Sequence, residues 1–211
     1  MRLKAKDLTL ISVFSALCVV VGYARGLALS SLPNVMEFMT ALIFFSGLMF
    51  GWVVGVLDGG ITLAIYTLIP YPFASPAAFL YQTPPVLLAV MIGLGSLYGL
   101  AGGILGKRYR AHKINTRLIA EMAFGGFLLT FTYDVLGSVG FYLAYSIYYT
   151  SVWEAIYWTF IPTIYMPYPP IVHTFTNTIV FALLVPPLIK AIGSYLGIRP
   201  QETAEQTKMQ N

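Results

Sequence analysis

Gly106-Lys107-Arg108-Tyr109-Arg110-Ala111-His112-Lys113, continued to Arg117, is the stretch that decides the fold. It is the one dense cluster of charge between two long apolar halves, with five Lys or Arg in the eleven residues from Lys107 to Arg117. Short loops this rich in Lys and Arg stay on the cytoplasmic side of a bilayer. Assigning this loop to the inside therefore sets the sidedness of every other segment. The bilayer itself follows from composition. The 211 residues are 58% hydrophobic and 9% charged, with a mean hydropathy of +0.77, whereas soluble domains carry roughly 25% charged residues. Most of the surface must face something other than water.

Working outward, the spans fall into place between turn signals. Towards the N-terminus, the run from Leu8 to Leu29 follows Arg2, Lys4 and Lys6. It imitates a secretory leader, with small residues near Ala24 and Ala28, but it exceeds the ~7–15-residue apolar core of one. An uncleaved first span is the expectation. Ser30-Ser31-Leu32-Pro33-Asn34 is a turn cluster. The apolar block Met36–Ile69 is too long for one crossing and long enough for two short ones, dividing near Gly51–Gly55. Pro70-Tyr71-Pro72 closes that pair, because the residue before a proline is pushed out of helix. The fourth span starts at Thr83-Pro84-Pro85 and ends at Gly106, against the basic loop.

Beyond the loop, the fifth span runs from Leu118 to about Tyr145. The sixth runs from Pro170 to about Leu196, with Pro186-Pro187 expected to kink its cytoplasmic end. Ser146–Tyr168 is apolar and aromatic but carries Glu154 and Pro162. Counting it as a crossing would place Lys190, Arg199 and Lys208 outside. With six crossings both termini are cytoplasmic and only Arg25 among the Lys and Arg faces out, the distribution the positive-inside rule favours. The expected fold is all-α: a polytopic membrane protein with one six-helix domain over residues 1–198, and a polar tail over 199–211. Ser146–Tyr168 becomes an outer, interfacial cap. Gly47, Gly51, Gly55 and Gly59, and again Gly95, Gly99 and Gly103, recur every fourth residue, which lets helices approach closely in lipid. The net charge of +4 sits at membrane edges and is no sign of nucleic acid. Cys18 stands alone and forms no internal disulfide.

Sequence motifs for catalysis are wanting: there is no zinc-ligating His-Glu-x-x-His, no paired cysteine, no Gly-x-Ser-x-Gly and no P-loop. No catalytic residue, metal or cofactor is expected, and ATP would have to be bound by another polypeptide. The informative residues are polar ones at membrane depth, which are costly there. With the fifth span leaving the membrane near Phe141, Asp134 lies ~10 Å below the outer face at 1.5 Å per residue. Counted inward from Pro170, Asn177 lies ~10 Å deep by the same rise. His173 shares the Asn177 face, one turn nearer the mouth. Tyr133, Tyr81 and Gln82 stand around that level, with Trp153, Glu154 and Trp158 above. Arg25 and Glu37 sit at the outer ends of their spans. Aromatic walls with a few aimed polar groups are what small-molecule pockets look like. Tyr and Trp equally populate interfacial belts, and Asn177 and His173 can simply join helices. Glu37 and Arg25 can pair with each other. Asp58 and Glu121 fall nearer the inside, where structural or partner contacts are expected.

Four features in order resemble the substrate-binding S component of an energy-coupling-factor (ECF) vitamin transporter. They are six short helices in about 200 residues with both ends inside; Pro33-Asn34-Val35 opening the second span, then Phe50-Gly51-x-x-x-Gly55; Gly99-Leu100-Ala101-Gly102-Gly103-Ile104-Leu105-Gly106-Lys107; and His173-x-x-x-Asn177 leading to Leu184-Val185-Pro186-Pro187. The resemblance covers roughly residues 8–196. It implies a subunit of an ABC-type importer that captures a scarce water-soluble vitamin or precursor outside. Delivery would follow from docking on a transmembrane T component that carries two ATPases. It also implies a pocket formed by the last three spans and the outer loops, and docking through small residues of the first span, for which Ser12-x-x-x-Ala16 is the nearest match, with Ser15 and Val19 adjacent. The expected residence is the cytoplasmic membrane of a prokaryote. The mildly acidic mouth suits a neutral or cationic solute with a planar ring. Two other classes stay open: a self-sufficient proton-coupled secondary transporter using Asp134 and Glu121, and a membrane scaffold or enzyme.

Overall fold

A computed structural model of the chain describes residues 3–28, 37–69, 84–111, 113–146, 150–157, 160 and 170–198. Seven helices carry the described residues: α1 (Ala5–Ala28), α2 (Phe38–Phe50), α3 (Trp52–Leu68), α4 (Pro85–Tyr109), α5 (Thr116–Ala144), α6 (Val152–Tyr157) and α7 (Pro170–Tyr195). Four of them, α1, α4, α5 and α7, are long and apolar enough to cross a membrane, and α2 and α3 are shorter apolar helices.

The helix ends follow local chemistry. The division of the second apolar block falls at Gly51, whose φ of 101° lies in the left-handed region that glycine enters without penalty. One residue therefore reverses the chain between α2 and α3. Pro84 and Pro85 open α4, where a missing N–H is harmless. Asn115 caps α5: its side-chain oxygen accepts the Leu118 N–H at 2.7 Å. That cap starts α5 two residues ahead of the expected Leu118. At the far end, α7 stays helical through Pro186 and Pro187.

Contacts between helices give their relative direction. Ser15 meets Asp58 and Tyr23 stacks on Tyr66, so α1 and α3 run the same way. Asp134 meets His173 while Gly126 meets Phe181, so α5 and α7 are antiparallel. Gly59 faces Gly95 and Gly55 faces Gly99, so α3 and α4 are antiparallel too. Gly102 meets Phe44 and Gly106 meets Leu48, so α2 is parallel to α4; Val90 meets Gly140 and Tyr98 meets Thr130, so α5 is antiparallel to α4. With the short α6 set aside, the helices thus alternate in direction along the chain, with α1, α3 and α5 opposed to α2, α4 and α7.

Two kinds of packing hold the bundle. Helices α2, α3 and α4 meet backbone to backbone: a Cβ on Gly99 would overlap the Gly55 carbonyl, and one on Gly102 the Phe44 carbonyl. In lipid such close approach supplies the dispersion contact that hydrophobic drive supplies in water. Elsewhere helices meet through side chains, and the core is a layer of rings. Phe44 of α2 and Phe181 of α7 lie 5.3 Å apart, and Tyr98 of α4 lies 6.3 Å from Phe181. At the basic end, Glu121 pairs with Arg108 at 3.2 Å and Arg117 at 3.0 Å. The short α6 packs on α5 and leaves Trp153 exposed.

Candidate functional site

Helix geometry gives α5 and α7 each a polar face, and packing brings those faces together with the start of α2. Thr130 and Asp134 are four apart on α5, and His173 and Asn177 four apart on α7, so each pair shares a face. Those two faces oppose each other, with Glu37 at the N-terminal end of α2 closing the third side. All of these side chains turn into the bundle and none faces lipid: Glu37 is 7% exposed, Asp134 6%, His173 5%, and Thr130, Thr174 and Asn177 0%.

His173 is the hub. Its Nδ1 lies 2.9 Å from Asp134 Oδ1, and its Nε2 lies 3.3 Å from Glu37 Oε2 and 3.0 Å from Asn177 Nδ2. Thr174 Oγ1 donates to the other Asp134 oxygen at 2.6 Å. The Asn177 amide is oriented independently, because its Oδ1 accepts the Glu37 backbone N–H at 2.9 Å. Its amino group therefore faces His173, and it also reaches Thr40 Oγ1 at 3.3 Å and Thr130 Oγ1 at 3.5 Å. Tyr98 donates to Thr130 at 3.1 Å and joins this polar layer to the rings beneath. Tyr133 stands edge-on to both the Tyr98 and His173 rings, with centroids 6.0 and 6.2 Å away.

The proton count in this network has two solutions. A carboxylate at Nδ1 makes that nitrogen a donor. The opposite nitrogen accepts from the Asn177 amino group when it is bare, and pairs with Glu37 when one proton lies between them. Carboxylates, an amide and hydroxyls gathered at one depth also offer a polar solute both acceptors and donors, where an unpaired polar group would be costly.

Five of the ten expected substrate-binding residues come together. Asp134, Asn177, His173 and Glu37 form one connected network, with Tyr133 against it. Trp153 is 75% exposed on α6, and Glu154 accepts from the backbone and side chain of Thr150 at 2.6 and 2.7 Å. Tyr81, Gln82 and Trp158 lie outside the described residues, as does the Arg25 side chain. A groove of about 180 Å³ along the α2–α7 flank is lined by Phe38, Ile179, Val180, Leu183 and Leu184; it is apolar, and no residue of the network lines it. On α1, Ser12 and Ala16 are exposed, while Ser15 and Val19 turn inward.

Thr40, Thr130, Thr174 and Tyr98 were not expected in the site. Their signal was positional. Thr130 sits one turn before Asp134, Thr40 one turn after Glu37, and Thr174 follows His173. Threonines in apolar helices also bond their own backbone, as Thr178 does to the Thr174 carbonyl at 2.8 Å, so residue type alone does not separate the two roles.

The family model described as ECF transporter, substrate-specific component, matches residues 6–189. No curated protein sequence and no solved structure matches the chain.

Proposed function

We propose, from the premise that this chain belongs to the family of ECF transporter substrate-specific components, that it captures a small water-soluble vitamin or vitamin precursor outside the cell and delivers it by docking. Members of that family are transporter subunits, and the chain is a multi-pass membrane protein. In this reading α1 to α5 and α7 are six crossings, both termini and the basic loop are cytoplasmic, and the membrane is the cytoplasmic membrane of a prokaryote. Residues 1–198 act as one domain with 199–211 as its tail.

The observation that carries the reading is the network of Glu37, Asp134, His173 and Asn177, at the ends of α2, α5 and α7 remote from the basic loop. Ionisable groups at such depth are costly and mark function. The Asp134 oxygens, both His173 ring nitrogens and the Asn177 amide already have protein partners, so a solute bound to them must replace those bonds with its own. That requirement favours a ligand rich in N–H and O–H groups, with a planar ring to stand against Tyr133 and Tyr98. Trp153, and with it Tyr81, Gln82, Trp158 and Arg25, would close the mouth over it.

The energy comes from separate subunits: a transmembrane T component met by Ser12 and Ala16 on the outward face of α1, and two ATPases attached to it. A proton-driven transporter relaying between Asp134 and Glu121 is less well supported. The two lie thirteen positions apart on α5, ~20 Å by the helix rise, and Glu121 is engaged by Arg108 and Arg117.

The deciding experiment is mass spectrometry of the small molecule that copurifies with the protein. A single vitamin-like compound, lost on heating the protein, is the expected result. If nothing copurifies and no compound in a vitamin panel binds, the reading is refuted.

A further inference from the structure

A second polar knot lies among the first three helices, and nothing in the binding site uses it. Asp58 of α3 is fully buried, as are Ser46 and Thr62, and Ser15 of α1 is 3% exposed. Hydroxyls from three helices converge on the one carboxyl group. Ser15 Oγ donates to Oδ1 at 2.9 Å, Thr62 Oγ1 to the same oxygen at 3.2 Å, and Ser46 Oγ to Oδ2 at 2.5 Å. Ser15 Oγ also stands 3.4 Å from the Asp58 backbone carbonyl.

The neighbours of Ser15 on α1 hold that helix by apolar contact. Phe14 packs on Phe45 and Phe50 at 6.3 and 5.2 Å, and Cys18 is fully buried in the core. Apolar burial is non-directional and tolerates rotation of a helix about its axis. A hydrogen bond to a buried carboxyl does not: it requires one rotation, and leaving its partners unpaired is costly. Each residue of α-helix turns the face by about 100°. Ser12 and Ala16 now stand outward among Val13, Leu17 and Val20, exposed by 57%, 44% and 62%, and a slip of one residue towards the N-terminal side would carry them to the places of Ile11 and Ser15, which are 4% and 3% exposed.

We infer that the Ser15–Asp58 clasp is a positioning device for partner docking. It fixes the rotation of α1, so that its small residues are presented to a helix of the T component. Ser15 and Asp58 touch neither the partner nor the ligand; they act through the orientation of α1. The inference rests on the docking half of the proposed function.

The chain carries its own reporter, since Cys18 is its single cysteine and lies one turn from Ser15 on the buried face. In the full-length protein, Ser15→Thr and Ser15→Val are matched in shape and differ in the hydroxyl alone. Two readouts are taken: alkylation of Cys18 by N-ethylmaleimide, and copurification with a co-expressed T component and its ATPases. Wild type and Ser15→Thr should stay protected and assemble. Ser15→Val and Asp58→Leu should alkylate at least tenfold faster and lose at least nine-tenths of assembly, order-of-magnitude effects of losing a bond to a buried acid, while the copurified small molecule is retained. Ala16→Trp should behave oppositely, with Cys18 protected and assembly blocked. Equal behaviour of the Thr and Val variants in both readouts overturns the clasp. Normal assembly of Ala16→Trp overturns the docking reading beneath it.

Discussion

Asn177→Leu is the most demanding substitution for this structure. Leucine keeps the branched outline of asparagine and its number of side-chain heavy atoms, so the change removes polar atoms without opening a cavity. Three helices lose a bond at once. The Glu37 N–H loses its 2.9 Å acceptor, and a buried donor left unpaired costs about 1–3 kcal/mol. The amino-group contacts to Thr40 and Thr130, at 3.3 and 3.5 Å, contribute about 0.6 kcal/mol each, the average for hydrogen bonds between membrane helices. The expected total is about 2–4 kcal/mol. Ligand affinity should fall at least tenfold, the equivalent of about 1.4 kcal/mol, because His173 and Glu37 lose their common support. The assay is equilibrium binding of the copurifying compound to purified protein, with a thermal melt in the same detergent. Ile179→Ala, on the lipid side of α7 and 55% exposed, serves as the control and should change either quantity little. If Asn177→Leu leaves both affinity and melting midpoint at wild-type values, the network is not the binding site and the argument from buried polar groups fails.

Asp134→Asn keeps an acceptor for Thr174 but removes the charge from His173 Nδ1, so it should retain more binding than Asp134→Leu in the same assay; the reverse order would refute the hub role of His173. Gly99→Ala should cost about 3 kcal/mol, the upper part of the usual overpacking range, because its Cβ meets the Gly55 backbone, while Gly125→Ala, with open space around it, should be near neutral. Yields and melting midpoints of the two purified variants test this, and similar values would contradict the close helix packing. Glu121→Gln breaks the pairs with Arg108 and Arg117, whose side chains are 56% and 72% exposed; a stability change below about 1 kcal/mol is expected, with uptake unaffected. Lost uptake in a cell assay would instead support proton relay through α5.

Much of the architecture was legible because lipid simplifies the code. Apolar length, the placement of Lys and Arg, and proline–glycine punctuation locate α1, α4, α5 and α7 to within a few residues. Gly51 could be placed only within a five-residue window, since every residue around it is compatible with helix and only the backbone angle singles it out. The union of Asp134 and Asn177 followed from counting depth along two helices. Its organisation around His173 did not, because rotation about each helix axis is set by packing against neighbours. For the same reason Asp58 read as a residue near the inner edge, when its carboxyl is the meeting point of α1, α2 and α3. Ser15 read as an adjunct of the Ser12 and Ala16 docking pair for a related reason, when its hydroxyl turns inward to Asp58. On an apolar helix in lipid the sequence has no polar side to mark which way is out.

The glycine-lined contact of α2, α3 and α4 also determines which parts can move. Backbones in direct contact cannot slide past one another without collision, whereas helices separated by side chains can shift as those side chains change rotamer. The three glycine-bearing helices therefore behave as a single plate, and a change of shape has to be taken up at its borders, by α1 on one flank and by α5 with α7 on the other. The hydrogen bonds of Asn177 and His173 cross the second border, and that of Ser15 crosses the first. Probes attached to the plate would report a fixed frame, against which the displacement of either flank could be measured.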